Sequence, residues 1–424
     1  MPPERISRSR LALWLTWPAI RGEFGPVHPF EDGPRMAPEP PWPSGDPRVR
    51  DLRVDFLASL RRAVADSEGV AVATSGGLDS LAVLANTVLE HGDRRRVTAV
   101  AIEMTDDRGR SNIPFVRRLL DALGPRCDLR IVPFSQQSAG APEWHPDGPR
   151  LDALPDANRL LVEVAHDAGA DVLLTGDGAD ELLGSGQYLS SAVLRSRGPR
   201  ALGAYWRDHR GEHHRTAKLE AVGVLARLTG RRRRAMTYLA CSWPELCRNP
   251  PHDFLAAPYR DVAESWTNDW IRTLVELHER HHSSLAAMEA WSDLYPHQRL
   301  RTAGLMRNED PFLDAEFTER AKLLPLHRRY EPDHPYPYWR MKSQVIALMP
   351  PGTRACLPTA KQIFSRAIVD RVNPAELDAR NLLESGILSP GALRGNLDPM
   401  VATRVVEVEQ WLSTAVERGY DLVD

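Results

Sequence analysis

The first half of the chain alternates between strand-like and helix-like patterns of apolar residues. The short apolar runs that predict strands are residues 70–73, 96–104, 129–133 and 171–174. The segments with helical apolar spacing are residues 49–66, 81–85, 113–123 and 158–168. Strands that alternate with helices are typical of a parallel sheet, whose ligands bind at the carboxyl ends of the strands. The pattern therefore predicts an α/β fold built on a parallel sheet.

From about residue 190 onward the pattern becomes helical. Residues 217–228, 266–280 and 285–295 have helix-like spacing, and no convincing strand appears. We expect a helical continuation that closes over the sheet. The predicted division is a Pro-rich N-terminal segment, an α/β core and a mainly helical portion, at residues 1–48, 49–190 and 191–424.

The N-terminal segment holds a cluster of prolines and a glycine between residues 38 and 45, which predicts an extended linker. Residues 11–20 are apolar and follow two arginines, a pattern also found in secretory signals. Because no small-residue cleavage site follows them, we interpret them as a short strand or packing segment.

Composition is that of a soluble globular protein, with 42% hydrophobic and 26% charged residues in 424 positions. The net charge of −3 argues against a nucleic-acid partner, and no apolar run is long enough to cross a membrane. Four arginines at 231–234 are interpreted as a solvated helix face or loop, with an acidic partner as the alternative.

The four cysteines lack metal-ligand spacing, which favours a reduced, cytoplasmic protein over a disulfide framework. His278 and His282 are four residues apart and could share a helix face as metal ligands do. The glutamate of a His-Glu-x-x-His site is missing, so we interpret this pair as a solvated helix surface.

The segment Ser75–Ser80 has the most informative sequence, SGGLDS. It joins a predicted strand to a predicted helix, and paired glycines before a helix N-terminus favour phosphate binding. Ser75 and Ser80 add hydroxyl donors. Asp79 would repel a bare phosphate, so its presence indicates an intervening cation such as Mg²⁺. The alternative is a plain serine-glycine turn.

A second acidic turn follows the fourth predicted strand, in Thr175–Gly184. Acids directly after a buried strand are costly unless something uses them. Asp180 is placed to be a second carboxylate for Mg²⁺, whereas a helix N-cap is the alternative. Both acidic turns directly follow strands of the same predicted sheet, which favours the interpretation that their side chains belong to one site.

Together, SGGLDS and LLTGDGADELLG resemble the synthetase domain of the asparagine synthetase family, and the first resembles the pyrophosphate loop of ATP pyrophosphatases. The similarity runs from about residue 50 to about residue 380. Three further segments extend it, namely residues 154–158, 310–314 and 357–364. The resemblance implies an ATP pyrophosphatase core, similar to adenine nucleotide α-hydrolases, with a helical C-terminal extension.

The resemblance also implies a reaction that uses ATP and Mg²⁺. A carboxylate is adenylated, pyrophosphate leaves, and a nitrogen nucleophile then forms an amide and releases AMP. The residues implied to bind ATP and pyrophosphate are Ser75, Gly76, Gly77, Asp79, Ser80 and Gly176. Asp79 and Asp180 would hold the metal, and Lys361 matches the active-site lysine. Asp177 stands where asparagine synthetases carry a longer Glu, and it would orient the nucleophile or accept its proton.

The chain departs from the family in three places. The cysteine nucleophile of the glutaminase domain has no counterpart, so we expect nitrogen from free ammonia, a separate glutaminase or an amine substrate. Glu309 replaces the arginine found two residues before the proline of the PFLD element, which argues against an acidic amino acid as substrate. Residues 105–110 replace an Asp-Glu pair after the second strand.

These departures favour a specialised amide ligase, of the kind found in natural-product biosynthesis, acting on a small-molecule or peptide carboxylate. The main alternative is an intramolecular cyclase similar to β-lactam or lasso-peptide macrolactam synthetases. A tRNA-modifying enzyme with a related loop and a non-catalytic homologue are the remaining alternatives. The acidic net charge argues against the tRNA enzyme.

Overall fold

The computed structural model describes residues 5–16, 51–133, 148–149, 155–212, 216–243, 252–281, 283–292, 306–366, 377–394 and 397–424. Its strands are β1 Arg5–Ser7, β2 Gly69–Ala73, β3 Arg96–Glu103, β4 Asp128–Pro133, β5 Val172–Leu174, β6 Arg307–Glu309 and β7 Asp421–Val423. Five of them form a sheet in the order β4-β3-β2-β5-β6, and every neighbouring pair is parallel. The predicted α/β fold with a parallel sheet is confirmed.

The helices of the first half are α1 Arg8–Leu13, α2 Arg53–Ala63, α3 Leu78–His91, α4 Ile113–Leu123, α5 Pro155–Asp167, α6 Ala179–Leu183, α7 Ser190–Glu212, α8 Thr216–Ala226 and α9 Arg231–Ser242. Those of the second half are α10 Ala257–Arg280, α11 Leu285–Ser292, α12 Ala315–Lys322, α13 Pro337–Met341, α14 Ser343–Leu348, α15 Arg380–Glu384 and α16 Pro399–Glu417. Short 3₁₀ helices span Pro311–Leu313, Leu326–Arg329, Arg354–Cys356 and Ala392–Arg394. Helix α7 is broken at Gly198, next to Pro199.

The central strand β2 reads GVAVA and is almost entirely buried, as expected for a parallel strand covered on both faces. Helix α4 shows the predicted apolar stripe, with Val116, Leu119 and Leu120 among its buried residues. One hydrophobic cluster joins this sheet to α2, α3, α4 and the α12–α14 region. The helical second half therefore packs directly on the core.

The expectation of no strand after residue 190 is wrong, because β6 is the fifth strand of the sheet. Its sequence, Arg-Asn-Glu, is polar and lacks the apolar pattern of a strand. Parallel pairing with β5 defines it, since Leu173 lies opposite Asn308 and Leu174 opposite Glu309. Backbone hydrogen bonds at a sheet edge do not need apolar side chains.

The N-terminal residues pack against the C-terminal end of the chain. β1 pairs with β7 in parallel, from Arg5 with Asp421 to Ser7 with Val423. Leu11 and Leu15 are fully buried in a second hydrophobic cluster with residues of α10, α15 and α16. Residues 11–20 were expected to form a short strand or packing segment, and their described part, to residue 16, packs and begins within helix α1. The predicted linker at 38–45 lies outside the described residues.

Helices of sufficient length and apolar character to cross a bilayer are absent from the described part of the chain. Residues 231–234 form the first turn of α9, and 231–233 are exposed while Arg234 is partly buried. His278 is buried in α10, which corrects the expectation of a solvated surface, and His282 lies outside the described residues.

Candidate active site

Three strands of the sheet end side by side. Val72 of β2 lies opposite Leu174 of β5, and Leu174 in turn lies opposite Glu309 of β6. The segments that follow these strands therefore meet at one edge of the sheet. This register brings SGGLDS, the acidic turn and the start of the PFLD element together.

The first loop is fixed by its two serines. The Ser75 amide donates to the Ser80 hydroxyl at 3.2 Å, and the Gly77 amide donates to the Ser75 hydroxyl at 3.3 Å. Gly76 has a φ of 79°, and a Cβ there would lie 2.9 Å from the Asn112 carbonyl oxygen. Gly77 is the N-cap of α3 and has no side chain to cap the helix. The N-terminus of α3 suits an anion.

The second loop lies against the backbone of the first. A Cβ at Gly176 would lie 2.8 Å from the Ser80 amide nitrogen and 3.0 Å from the Asp79 carbonyl carbon. Only glycine lets the two loops approach this closely. The contact brings α6, which carries Asp180, next to the start of α3, which carries Asp79.

The predicted metal carboxylates do come together, and the amine of Lys342 lies between them. Its Nζ atom donates to the two oxygens of Asp79 at 2.8 and 2.7 Å. The same atom is 2.5 Å from an oxygen of Asp180. The Lys342 side chain is only 4% exposed, whereas that of Asp180 is 53% exposed. One buried ammonium thus neutralises part of the charge of two converging carboxylates.

Lys361 approaches the same cluster from the solvent side. Its Nζ atom lies 3.7 Å from the other oxygen of Asp180, and 48% of its side chain is exposed. Asp180 is therefore shared between a buried and a half-exposed ammonium. The structure thus places Lys361 beside Asp180, one of the two predicted metal carboxylates.

For Lys342 and Asp180, the ion pairs change the pKa more than burial does. Burial would lower the pKa of Lys342, but Asp79 and Asp180 raise that pKa above its ordinary value. Desolvation would raise the pKa of Asp180, but Lys342 and Lys361 together hold it below its ordinary value. For Asp79, burial raises the pKa and Lys342 offsets only part of the rise. Lys342 is charged at neutral pH.

Residues 105–110, which replace the expected Asp-Glu pair, support the segment that carries Lys361. The Asp107 amide donates to the Ile363 carbonyl at 2.8 Å, and the Arg366 amide donates to the Asp107 carboxylate at 3.1 Å. Desolvation would raise the pKa of Asp106, but hydrogen bonds led by those from Arg110 hold this pKa at about 2.

A cavity of about 180 Å³ adjoins the cluster and has both signs of charge in its wall. Asp180, Lys342 and Lys361 are among its lining residues. The remaining lining includes Glu181, Glu289, Arg329 and Tyr338. Arg329 is 2% exposed and donates to the Glu181 carbonyl at 2.8 Å, and burial lowers its pKa to about 9. The cavity can therefore pair with a ligand that carries both an acidic and a basic group.

Asp177 and Glu309 are not among the residues that line this cavity. Asp177 is exposed, and its amide donates to the Thr175 hydroxyl at 3.1 Å. Glu309 lies 3.7 Å from Arg307 of its own strand. The negative charge that Glu309 brings in place of the family's arginine therefore lies in β6, and Glu309 does not line the cavity.

Lys342 is the member of the charged cluster that sequence reasoning missed. It lies between α13 and α14, in a stretch with no recognisable motif. The composition offered one signal for it. Only four of the 54 Lys and Arg residues in the chain are lysine, so each lysine stands out as a candidate. Two of these four lysines, Lys342 and Lys361, contact Asp180.

The donor set fits Mg²⁺. Asp79 and Asp180 supply carboxylate oxygens that already converge on a single cation, the Lys342 ammonium. Within the described ranges, no group of three or more His, Cys, Asp or Glu side chains could hold a metal by itself. Mg²⁺ in nucleotide sites is commonly held by one or two carboxylates together with substrate phosphates and water.

Comparison with known families agrees with this geometry. The model of the asparagine synthase family matches residues 51–379, which include both loops, β6, Lys342 and Lys361. The chain belongs to the asparagine synthase family. No curated protein matches the chain. Membership of the asparagine synthase family makes the protein an ATP-dependent ligase that forms amides, and the resemblance first seen in the SGGLDS and GDGADE motifs is confirmed.

Proposed function

We propose that this asparagine synthase family member adenylates a specialised carboxylate and transfers the acyl group to ammonia or to an amine. A carboxylate oxygen attacks the α-phosphorus of ATP, and the bond to the bridging oxygen breaks to release pyrophosphate. The nitrogen then attacks the acyl carbon, loses a proton, and displaces AMP. Adenylation is needed because a free carboxylate is a poor electrophile.

One observation carries this proposal, namely that Asp79, Asp180, Lys342 and Lys361 form one cluster beside a phosphate-binding loop and a charged cavity. Asp79 and Asp180 would hold Mg²⁺, which when bound neutralises negative charge on phosphate oxygens. The amides that follow Ser75 would bind the departing pyrophosphate. Lys361, half-exposed at the cavity, would stabilise charge on the α-phosphate and on the acyl oxygen.

The cavity is the proposed place for the acyl substrate. Glu181 and Glu289 provide negative charge for an amine, and Arg329 provides positive charge for an acidic or carbonyl group. A carboxylate on the acidic loop would orient the nucleophile. Asp177 is the candidate from its position in the motif, and Glu181 is the candidate from its place in the cavity wall.

We further propose that the nitrogen comes from ammonia, from a separate glutaminase or from an amine substrate, and that the product belongs to natural-product biosynthesis. The need for ATP supports a cytoplasmic location. The three cysteines among the described residues, Cys127, Cys241 and Cys356, form no disulfide, which is compatible with a reducing compartment.

Exchange of labelled pyrophosphate into ATP tests the adenylation step. Purified protein with Mg²⁺ would be assayed against aspartate and a panel of small-molecule and peptide acids. We expect exchange with an acid other than aspartate, and its loss in Asp79→Asn and Lys361→Met. Lys218→Met is the matched control, because Lys218 is exposed on α8 and does not line the cavity.

The outcome of this experiment separates the candidate functions. Exchange with a peptide acid that gives a dehydrated product and needs no added amine would favour the intramolecular cyclase. Exchange that depends on aspartate alone would contradict the specialised substrate. Retention of exchange in both site variants would contradict the assigned cluster.

A further inference from the structure

The Lys342 ammonium occupies the position toward which both metal carboxylates point. Its Nζ atom contacts both oxygens of Asp79 at 2.8 and 2.7 Å and one oxygen of Asp180 at 2.5 Å. These three oxygens are also the natural ligands of a divalent cation. Mg²⁺ would need oxygen ligands at about 2.0–2.1 Å, so the ammonium and a metal ion cannot share the same place.

Hydrogen bonds hold the backbone around Lys342, so a change of partner at its ammonium would come from the side chain. The Lys342 amide donates to the Tyr338 carbonyl at 3.0 Å, and the Ser343 hydroxyl donates to the Arg329 carbonyl at 2.9 Å. The side chain of the next residue, Gln344, donates to the Arg328 carbonyl at 2.6 Å. A lysine side chain on such a fixed backbone can exchange one oxygen partner for another by rotation about its own bonds.

The charges of the cluster balance without any metal. When all four groups are ionised, Asp79 and Asp180 contribute two negative charges, and Lys342 and Lys361 contribute two positive ones. Such a neutral cluster has little electrostatic attraction for a free divalent cation. A nucleotide changes this balance, because its phosphates offer new partners for the ammonium and further ligands for the metal.

We propose that Lys342 is an internal counter-cation that keeps free divalent metal out of the Asp79–Asp180 pair and admits it only together with nucleotide phosphates. Lys342 thereby makes metal binding conditional on ATP. This inference rests on the proposed function, since it takes the two carboxylates as the metal ligands.

Binding of Mn²⁺, followed by electron paramagnetic resonance, tests the inference without measuring catalysis. Wild-type protein would be titrated with Mn²⁺ alone and with Mn²⁺ plus an ATP analogue that carries a methylene bridge between the α- and β-phosphates. We expect Mn²⁺ to bind at least about tenfold more tightly with the analogue than without it. In Lys342→Met, tight Mn²⁺ binding should appear without nucleotide.

Three further variants make the result specific. Lys342→Arg keeps the positive charge and should continue to exclude Mn²⁺. Lys218→Met removes an exposed lysine that does not line the cavity and should behave as wild type. Adding Asp180→Asn to Lys342→Met should abolish the nucleotide-independent site, which places that site on the cluster.

Equal Mn²⁺ affinity of wild type and Lys342→Met in the absence of nucleotide overturns the proposal. If Lys342→Met does not fold, the wild-type titration still tests the proposal. Tight binding of Mn²⁺ to the wild-type protein without nucleotide would also contradict it. Pyrophosphate exchange on the wild-type protein separates this inference from the proposed function. If the wild-type protein exchanges pyrophosphate but Lys342 does not exclude Mn²⁺, only the inference is rejected. If Lys342 excludes Mn²⁺ but the protein exchanges no pyrophosphate, only the adenylating activity is rejected.

Discussion

The Thr175 hydroxyl donates a 2.6 Å hydrogen bond to the Asp310 carboxylate, and so joins the acidic turn after β5 to the PFLD element after β6. The same hydroxyl oxygen accepts a hydrogen bond from the Asp177 amide at 3.1 Å. A single side chain thus fixes the start of the loop that carries Gly176 and Asp180. The position of Asp180, the proposed metal carboxylate, depends on this junction between two motifs.

Thr175→Val keeps the shape of the side chain and removes both hydrogen bonds. We expect the free energy of unfolding to fall by about 1–2 kcal/mol, and the rate of pyrophosphate exchange to fall because Asp180 loses its fixed position. Urea unfolding and the exchange assay measure the two effects. Thr175→Ser keeps the hydroxyl and should retain both the stability and the exchange rate of the wild type. Full exchange in Thr175→Val would show that the junction does not position the site.

Gly176→Ala should separate the two loops. The added Cβ would lie 2.8 Å from the Ser80 amide nitrogen, and backbone at that distance must move. We expect a loss of exchange of about tenfold or more, as a displacement near 1 Å commonly costs in catalysis. The matched control is Gly203→Ala in α7, where a Cβ meets nothing within 4 Å. This control should keep full activity and gain up to about 1 kcal/mol in stability.

The two lysines of the cluster should differ in their effect on stability. Lys342→Met leaves two adjacent carboxylates without their buried cation, so we expect the free energy of unfolding to fall by roughly 3 kcal/mol. Lys361 is half-exposed, and Lys361→Met should change stability by less than about 0.5 kcal/mol while still abolishing exchange. Urea denaturation at neutral pH distinguishes the two. Equal stability of both variants would argue against a stabilising contact of Lys342 with Asp79 and Asp180.

Two buried histidines should make the protein sensitive to acid. Burial lowers the pKa of His278 and that of His252 to about 4, below the ordinary value of about 6.5. The unfolded chain therefore binds more protons between these values, and stability present above pH 6.5 is lost as the pH falls toward 4. Each histidine accounts for up to about 3 kcal/mol of this loss.

Unfolding measured in urea between pH 7 and pH 4.5 checks this dependence. His278→Gln should flatten the slope of stability against pH, because the titrating group is gone. The exposed His166 of α5 is the control, and His166→Gln should leave the slope unchanged. An unchanged slope in His278→Gln would mean that other groups cause the acid sensitivity.

Much of the core could be predicted from the sequence because its signals are local. Each of the first four strands of the sheet is a short apolar run, and the phosphate loop and acidic turn each lie within a few residues of a strand end. The strand-end turns predicted that Asp79 and Asp180 share a site, and the resemblance to the asparagine synthetase family added Lys361. The structure brings these three side chains together. The strand β6 could not be found this way, since only its pairing with β5 defines it.

The sequence by itself determined the parallel sheet, the two glycine loops and the family, because these depend on apolar periodicity and on residues close together in the chain. Only the tertiary structure placed Lys342 between carboxylates 263 and 162 positions earlier in the chain. That contact depends on the packing of α14 against α3 and α6. The pairing of β1 with β7 also required the folded chain. Contacts across such separations arise when whole elements pack, and no local pattern of residues encodes them.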